Sequence, residues 1–123
     1  MNLLKMLKSL FTTAPRQTPL ECAHRVRAGE AFLVDVREPG EWAEGVARSA
    51  SLLAFSDLTG ARSQWQPFLD EVAGKEILLY CASGARSGFA AKVLAAEGHH
   101  VANTGSLGDW ASAGWPVVKP KRR

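Results

Sequence analysis

Cys81 is the residue with the most chemistry to offer. It ends the apolar run Glu76–Tyr80 and is followed by Ala82, Ser83, Gly84, Ala85, Arg86 and Ser87, small residues closed by a cation and a hydroxyl. The thiolate is the nucleophilic form of cysteine, and nearby positive charge or a helix N-terminus stabilises it. Small residues and glycine let consecutive backbone N–H groups turn toward one centre. The start of a helix adds partial positive charge there. Arg86 adds a full charge that persists at physiological pH, and Ser87 is placed to cap the helix that follows. The pattern describes a loop built to hold an anion: the Cys81 thiolate, with an anionic substrate beside it.

Such a loop must be carried by rigid elements, and the flanking sequence supplies them. Glu76–Tyr80 reads as a buried strand, and Ser87–Glu97 as a helix with Phe89, Ala90, Val93 and Leu94 inward and a stop at Gly98. Upstream, Thr18-Pro19-Leu20-Glu21 has the form of a helix start that runs to about Arg27 and ends at Ala28-Gly29. Ala31–Val36 is a short apolar strand, Glu38–Trp42 a turn and short helix, and Ser49–Ala54 a weaker strand. Leu58–Val72 has helical spacing broken by Gly60 and Pro67, which predicts two short helices. His99–Asn103 is a further strand, and Asp109-Trp110 lies on a short helix.

Strands alternating with helices at this spacing predict an α/β domain with a mainly parallel sheet. Ligands of such sheets bind beyond the carboxyl ends of the strands. Cys81 sits at such an end, and so does Asp35-Val36-Arg37.

These residues resemble a known family. Cys81-Ala82-Ser83-Gly84-Ala85-Arg86-Ser87 matches the Cys-x-x-Gly-x-Arg-Ser loop of single-domain rhodanese-like sulfurtransferases. Asp35-Val36-Arg37 with Glu41-Trp42 is similar to that family's Asp-Val-Arg segment followed by an acid and an aromatic, and Gly105, Trp110, Gly114 and Pro116-Val117 resemble its closing pattern. The resemblance spans residues 18–118 and implies a single rhodanese-like domain with a sheet of about five strands and helices on both faces. Residues 1–17 are then an arm and linker, and 119–123 a basic tail.

The resemblance also implies a reaction. Cys81 takes the outer sulfur of thiosulfate or another persulfide-type donor as a persulfide, and cyanide or a thiol removes it. The loop N–H groups of Ala82 to Ser87 hold the terminal sulfur, Arg86 the donor's anionic group, and no metal or organic cofactor is required. Asp35 and Arg37 are read as braces for the loop, held by hydrogen bonds, rather than as reacting groups. Four residues separate Cys81 from Arg86. Cysteine-dependent phosphatases of this architecture have a longer loop and a histidine before the cysteine, where this chain has Tyr80. A sulfur-relay or regulatory module, passing persulfide to a partner protein with little turnover of small donors, is the alternative use of the same residues. A catalytically silent interaction domain is a third.

Departures from the family bear on local geometry. Gly45-Val46-Ala47-Arg48-Ser49-Ala50 replaces a Gly-His-Ile-x-Gly-Ala segment, Ser106 follows Gly105 where a second glycine is common, and Ala82 stands where many relatives carry arginine.

Composition narrows the remaining classes. A chain of 123 residues, 46% hydrophobic and 22% charged, suits one soluble domain. The net charge of +3 lies partly in the tail Lys119–Arg123, with no aromatic or basic face beside it, so nucleic acid is not an expected partner. Two cysteines, one in a helical pattern at Cys22, point to free thiols in a reducing compartment, expected to be the cytoplasm. In Met1–Phe11 the apolar residues 3, 4, 7, 10 and 11 share a helical face interleaved with Lys5 and Lys8. That pattern fits neither a signal peptide nor a membrane span, and the expected structure is a short helix lying on the domain. His24, His99 and His100 lack metal-ligand spacing. Trp42, Trp65, Trp110 and Trp115 are expected in the core or at its rim.

Overall fold

The computed structural model describes residues 2–10 and 15–120. The chain runs α1 (Leu3–Leu10), α2 (Pro19–Arg27), β1 (Ala31–Asp35), α3 (Pro39–Trp42), β2 (Val46–Ala47), β3 (Ser51–Leu52), α4 (Phe55–Leu58), α5 (Trp65–Glu71), β4 (Glu76–Cys81), α6 (Ala85–Ala96), β5 (Val101–Ser106), α7 (Leu107–Ser112) and β6 (Val117–Val118). β3, β1, β4 and β5 form the central sheet in that order, all parallel. The sheet therefore has four strands rather than the five expected from the resemblance. β6 instead pairs antiparallel with β2, outside the central sheet.

Side chains of β4 alternate between two cores, as the two-residue period of a strand requires. Ile77, Leu79 and Cys81 join Val34, Val36, Leu58, Trp65, Leu69 and Leu94 on one face. Leu78 and Tyr80 join Leu33, Cys22, Trp110 and Trp115 on the other. Helices thus cover both faces, and the hydrophobic run of β4 is buried throughout, as befits the centre of a parallel sheet. Trp65 and Trp110 are fully buried and Trp115 nearly so, with the Trp110 and Trp115 rings packed edge to face at 5.2 Å.

Local chemistry sets the element ends. Thr18 caps α2 by accepting a hydrogen bond from the Glu21 N–H at 3.2 Å, with Pro19 at the first helical position. The region between Leu58 and Val72 holds one helix rather than the two expected: α5 spans Trp65–Glu71 with Pro67 in its first turn, and α4 ends at Leu58, before Gly60. Asp57 accepts from the N–H groups of Ser63, Gln64 and Trp65, fixing the turn between them.

Two N-terminal features differ from the sequence reading. Residues 15–17 are not merely a linker. The Gln17 N–H donates to the Asn103 carbonyl and the Asn103 N–H to the Pro15 carbonyl, each at 3.1 Å, so the segment extends the sheet beyond β5. Helix α1 packs on α6, but Leu3, Leu4 and Leu7 face solvent rather than the domain. Residues 11–14 of the expected linker and 121–123 of the expected tail lie outside the described residues. Among the described residues, no helix is long and apolar enough to cross a membrane.

Candidate active site

β4 delivers Cys81 to the end of the sheet, and the chain then turns directly into α6. Gly84 is the N-cap of α6, with φ of +94°, a backbone conformation that suits glycine. A Cβ at Gly84 would also lie 3.3 Å from the Cα of Gly105. This turn starts the helix earlier than the sequence reading placed it. Ser87 is consequently inside the first turn and does not cap the helix.

The early start aims donors at sulfur. The Gly84 N–H donates to Cys81 Sγ at 3.0 Å and the Ser87 N–H at 3.5 Å, while the Ser87 hydroxyl lies 3.4 Å from the same atom. Burial pushes the Cys81 thiol up. Hydrogen bonds from the Ser87 hydroxyl and from the Ser87, Ser83 and Gly84 N–H groups outweigh it, and the thiol lies below its ordinary value. Cys81 itself is fully buried, whereas Ala82, Ser83 and Ala85 are exposed around it. The other cysteine has no such cradle. Burial raises the Cys22 thiol to about 11, and it is an inert core residue.

Arg86 faces Glu41 of α3. Its two terminal nitrogens reach the two carboxylate oxygens at 2.7 and 2.8 Å, a bidentate pair that joins the first turn of α6 to α3. Glu41 Oε1 also accepts from the Glu38 N–H, closing the capping box of α3. The guanidinium expected to hold a donor anion is therefore already matched by a carboxylate.

Asp35 and Arg37 form a second, buried centre. Arg37 approaches both oxygens of Asp35 through Nε and Nη2 at 2.8–3.1 Å, and Nη2 also donates to the Gly45 carbonyl at 2.6 Å. Asp35 further accepts from the Trp42 indole N–H at 3.1 Å and from the Tyr80 hydroxyl at 2.6 Å. The Tyr80 oxygen accepts the Ala47 N–H at 2.9 Å. The two charged residues thus act on Tyr80, the neighbour of Cys81, and on residues 45–47, rather than on loop residues 82–87. Tyr80 and Arg37 hold the segment that lacks the family's histidine.

Asn103 is the participant that sequence reasoning missed. Its Oδ1 lies 2.8 Å from the Ser87 hydroxyl, sharing with Cys81 Sγ the one proton that hydroxyl can donate, and accepts from the Gly105 N–H at 3.1 Å, while its Nδ2 donates to the Gly84 carbonyl at 3.2 Å. A register shift places it there: Leu79 pairs with Asn103, but Cys81 pairs with Ser106, leaving one extra residue in β5. Gly105, in that bulge, has φ of +92°. Ser106 then caps α7 in a reciprocal box with Asp109, which accounts for serine at this position. Trp110 and Trp115 are buried on the far face of the sheet from Cys81. Among the described residues, no cluster of His, Cys, Asp or Glu could hold a metal ion.

The rhodanese-like domain family matches residues 18–113, and the chain belongs to that family. It is similar to a sulfurtransferase of Allochromatium vinosum, 34% identical over 94 residues that cover 75% of this chain and 82% of that one. An uncharacterised Synechocystis protein is 37% identical over 92 residues, 73% of this chain; the match spans 48% of that protein, about half its length. Among solved structures, a rhodanese-related protein of Thermoplasma volcanium superposes with a TM-score of 0.68 at 25% identity, covering 86% of this chain and 99% of that one.

Proposed function

We propose that the protein is a sulfurtransferase in which Cys81 carries sulfane sulfur as a persulfide. The observation behind this reading is the convergence of the Gly84 and Ser87 N–H groups and the Ser87 hydroxyl on Cys81 Sγ. Family membership and the sulfurtransferase relative support it. The thiolate attacks the outer sulfur of thiosulfate, a new S–S bond forms, the donor's S–S bond breaks, and sulfite leaves with the electron pair. Cyanide or a thiolate then attacks the outer sulfur of the persulfide and frees the Cys81 thiolate. The N–H groups that face Sγ stabilise negative charge on cysteine and persulfide alike. The four residues between Cys81 and Arg86 suit a cradle the size of a sulfur atom better than one for a phosphate ester.

Two features temper the use of thiosulfate. Position 82 is alanine, and Arg86 is matched by Glu41. Both favour a persulfide or thiol partner over a doubly charged small donor, so delivery to a protein acceptor is the second reading. Two free, buried cysteines suit a reducing compartment, and the cytoplasm is the proposed location. Thiocyanate formation from thiosulfate and cyanide tests the reading. Wild-type protein is expected to turn over and Cys81→Ser to be inactive, and Arg86→Ala to lose most donor use because it leaves an unpaired Glu41 near the cradle. Turnover retained in Cys81→Ser overturns it.

A further inference from the structure

A cavity of about 360 Å³ lies against the flank of the Cys81 loop, lined among others by Arg16, Gly84, Ala85, Phe89, Lys92 and Asn103. None of its lining residues is acidic, and two are cations. Both cations are exposed, and among the described residues neither is in an ion pair. They come from separate elements. The Arg16 backbone is fixed by the bridge to Asn103 at the sheet edge. Lys92 lies two helical turns beyond Ala85 on the face of α6 that also carries Gly88 and Phe89. Gly88 keeps this face open, since a Cβ there would lie 3.2 Å from Asn103 Nδ2.

We propose that this cavity is the binding site for the carboxylate of a small anionic thiol, the sulfur acceptor. The proposal rests on the sulfur-transfer reading and adds the chemical class of one substrate. Gly84 connects the two places: its N–H donates to Cys81 Sγ at 3.0 Å, and the same residue walls the cavity. Ala85, exposed at the loop, forms the rim between them. A carboxylate held by Arg16 and Lys92 leaves the thiol end of a short molecule at the loop mouth. There its thiolate attacks the outer sulfur of the Cys81 persulfide; a new S–S bond forms, the bond to Sγ breaks, and Cys81 leaves as thiolate while the acceptor leaves as its persulfide. The cations supply the positive charge that Ala82 and the paired Arg86 do not.

The test loads the protein with sulfur and follows its discharge by intact mass. 3-Mercaptopropionate, 2-mercaptoethanol and cysteamine serve as anionic, neutral and cationic acceptors. The ratio of discharge rates between wild type and the Arg16→Gln/Lys92→Gln double variant cancels each thiol's intrinsic reactivity. Discharge by 3-mercaptopropionate is expected to slow about five- to tenfold in the double variant, the scale of two exposed charge contacts. Discharge by 2-mercaptoethanol should stay within about twofold and that by cysteamine should rise. The neutral thiol also reports whether the double variant keeps its fold. An equal effect on all three thiols, or none, overturns the subsite alone. Failure of wild-type protein to load any sulfur overturns both the subsite and the sulfur-transfer reading.

Discussion

Replacing Asp35 with alanine should come close to unfolding the domain. Asp35 is fully buried and accepts from Arg37, Trp42 and Tyr80. Its removal leaves Arg37, 6% exposed, with the Gly45 carbonyl but no counter-ion. Breaking one side of a buried pair costs about 3–5 kcal/mol. The Tyr80 hydroxyl proton also loses its acceptor, worth about another 1 kcal/mol. Trp42 is only half-buried, and its N–H reaches water at little cost. The sum is about 4–6 kcal/mol, against a total stability of about 5–15 kcal/mol for a domain of this kind. Asp35→Asn keeps one acceptor oxygen and should cost about 2–3 kcal/mol. Urea unfolding followed by tryptophan fluorescence reads both differences, provided the denaturant slope is unchanged. A loss under about 1 kcal/mol for Asp35→Ala would refute the view that this pair anchors Tyr80 and the Gly45–Ala47 segment.

Three further outcomes follow from the geometry. Iodoacetamide should label Cys81 with a pH midpoint below that of an ordinary cysteine, and Ser87→Ala should move that midpoint up, because its hydroxyl helps hold the thiolate; Cys22, raised to about 11, should react only on unfolding. Glu41→Gln should lower the KM for thiosulfate by freeing Arg86 and cost about 0.5–1 kcal/mol. Glu41 is held at about 2 by its hydrogen bond to Arg86, from an ordinary 4.5, so its contribution is present above about pH 4.5 and lost as pH falls toward 2; acid unfolding scans of the two proteins should converge there. Asn103→Ala should cost about 1–2 kcal/mol in urea, because it strands the Gly105 N–H, while the Gly84 carbonyl keeps its bond from the Gly88 N–H.

The parts of the site legible in the sequence are those set within a few residues. Cys81, the small loop and the glycine before a helix are contiguous, so spacing alone conveys an anion cradle. The N-cap of α6 is not legible in this way, because Ser87 in the first turn has the form of a cap whereas the left-handed Gly84 begins the helix. Long-range partners left no local trace. Glu41 meets Arg86 across 45 residues, and Asn103 reaches Ser87 only because a bulge at Thr104-Gly105 shifts the β5 register. The five strands implied by the resemblance exceed the central sheet by one: its four strands are the four segments legible in the sequence, and the two-residue β2 and β6 pair apart from it. The orientation of α1 runs against its amphipathic pattern: Lys5 and Lys8 line a cavity with Leu69, Ala96 and Glu97, while Leu3, Leu4 and Leu7 face solvent.

The central claim is that Cys81 carries sulfur, and intact-mass measurement after incubation with thiosulfate or a small persulfide tests it most directly. The account predicts a gain of a single sulfur atom that is absent in Cys81→Ser, retained in Cys22→Ser, and removed by cyanide or a thiol. No gain with any sulfane donor, or a gain that survives Cys81→Ser, would contradict it.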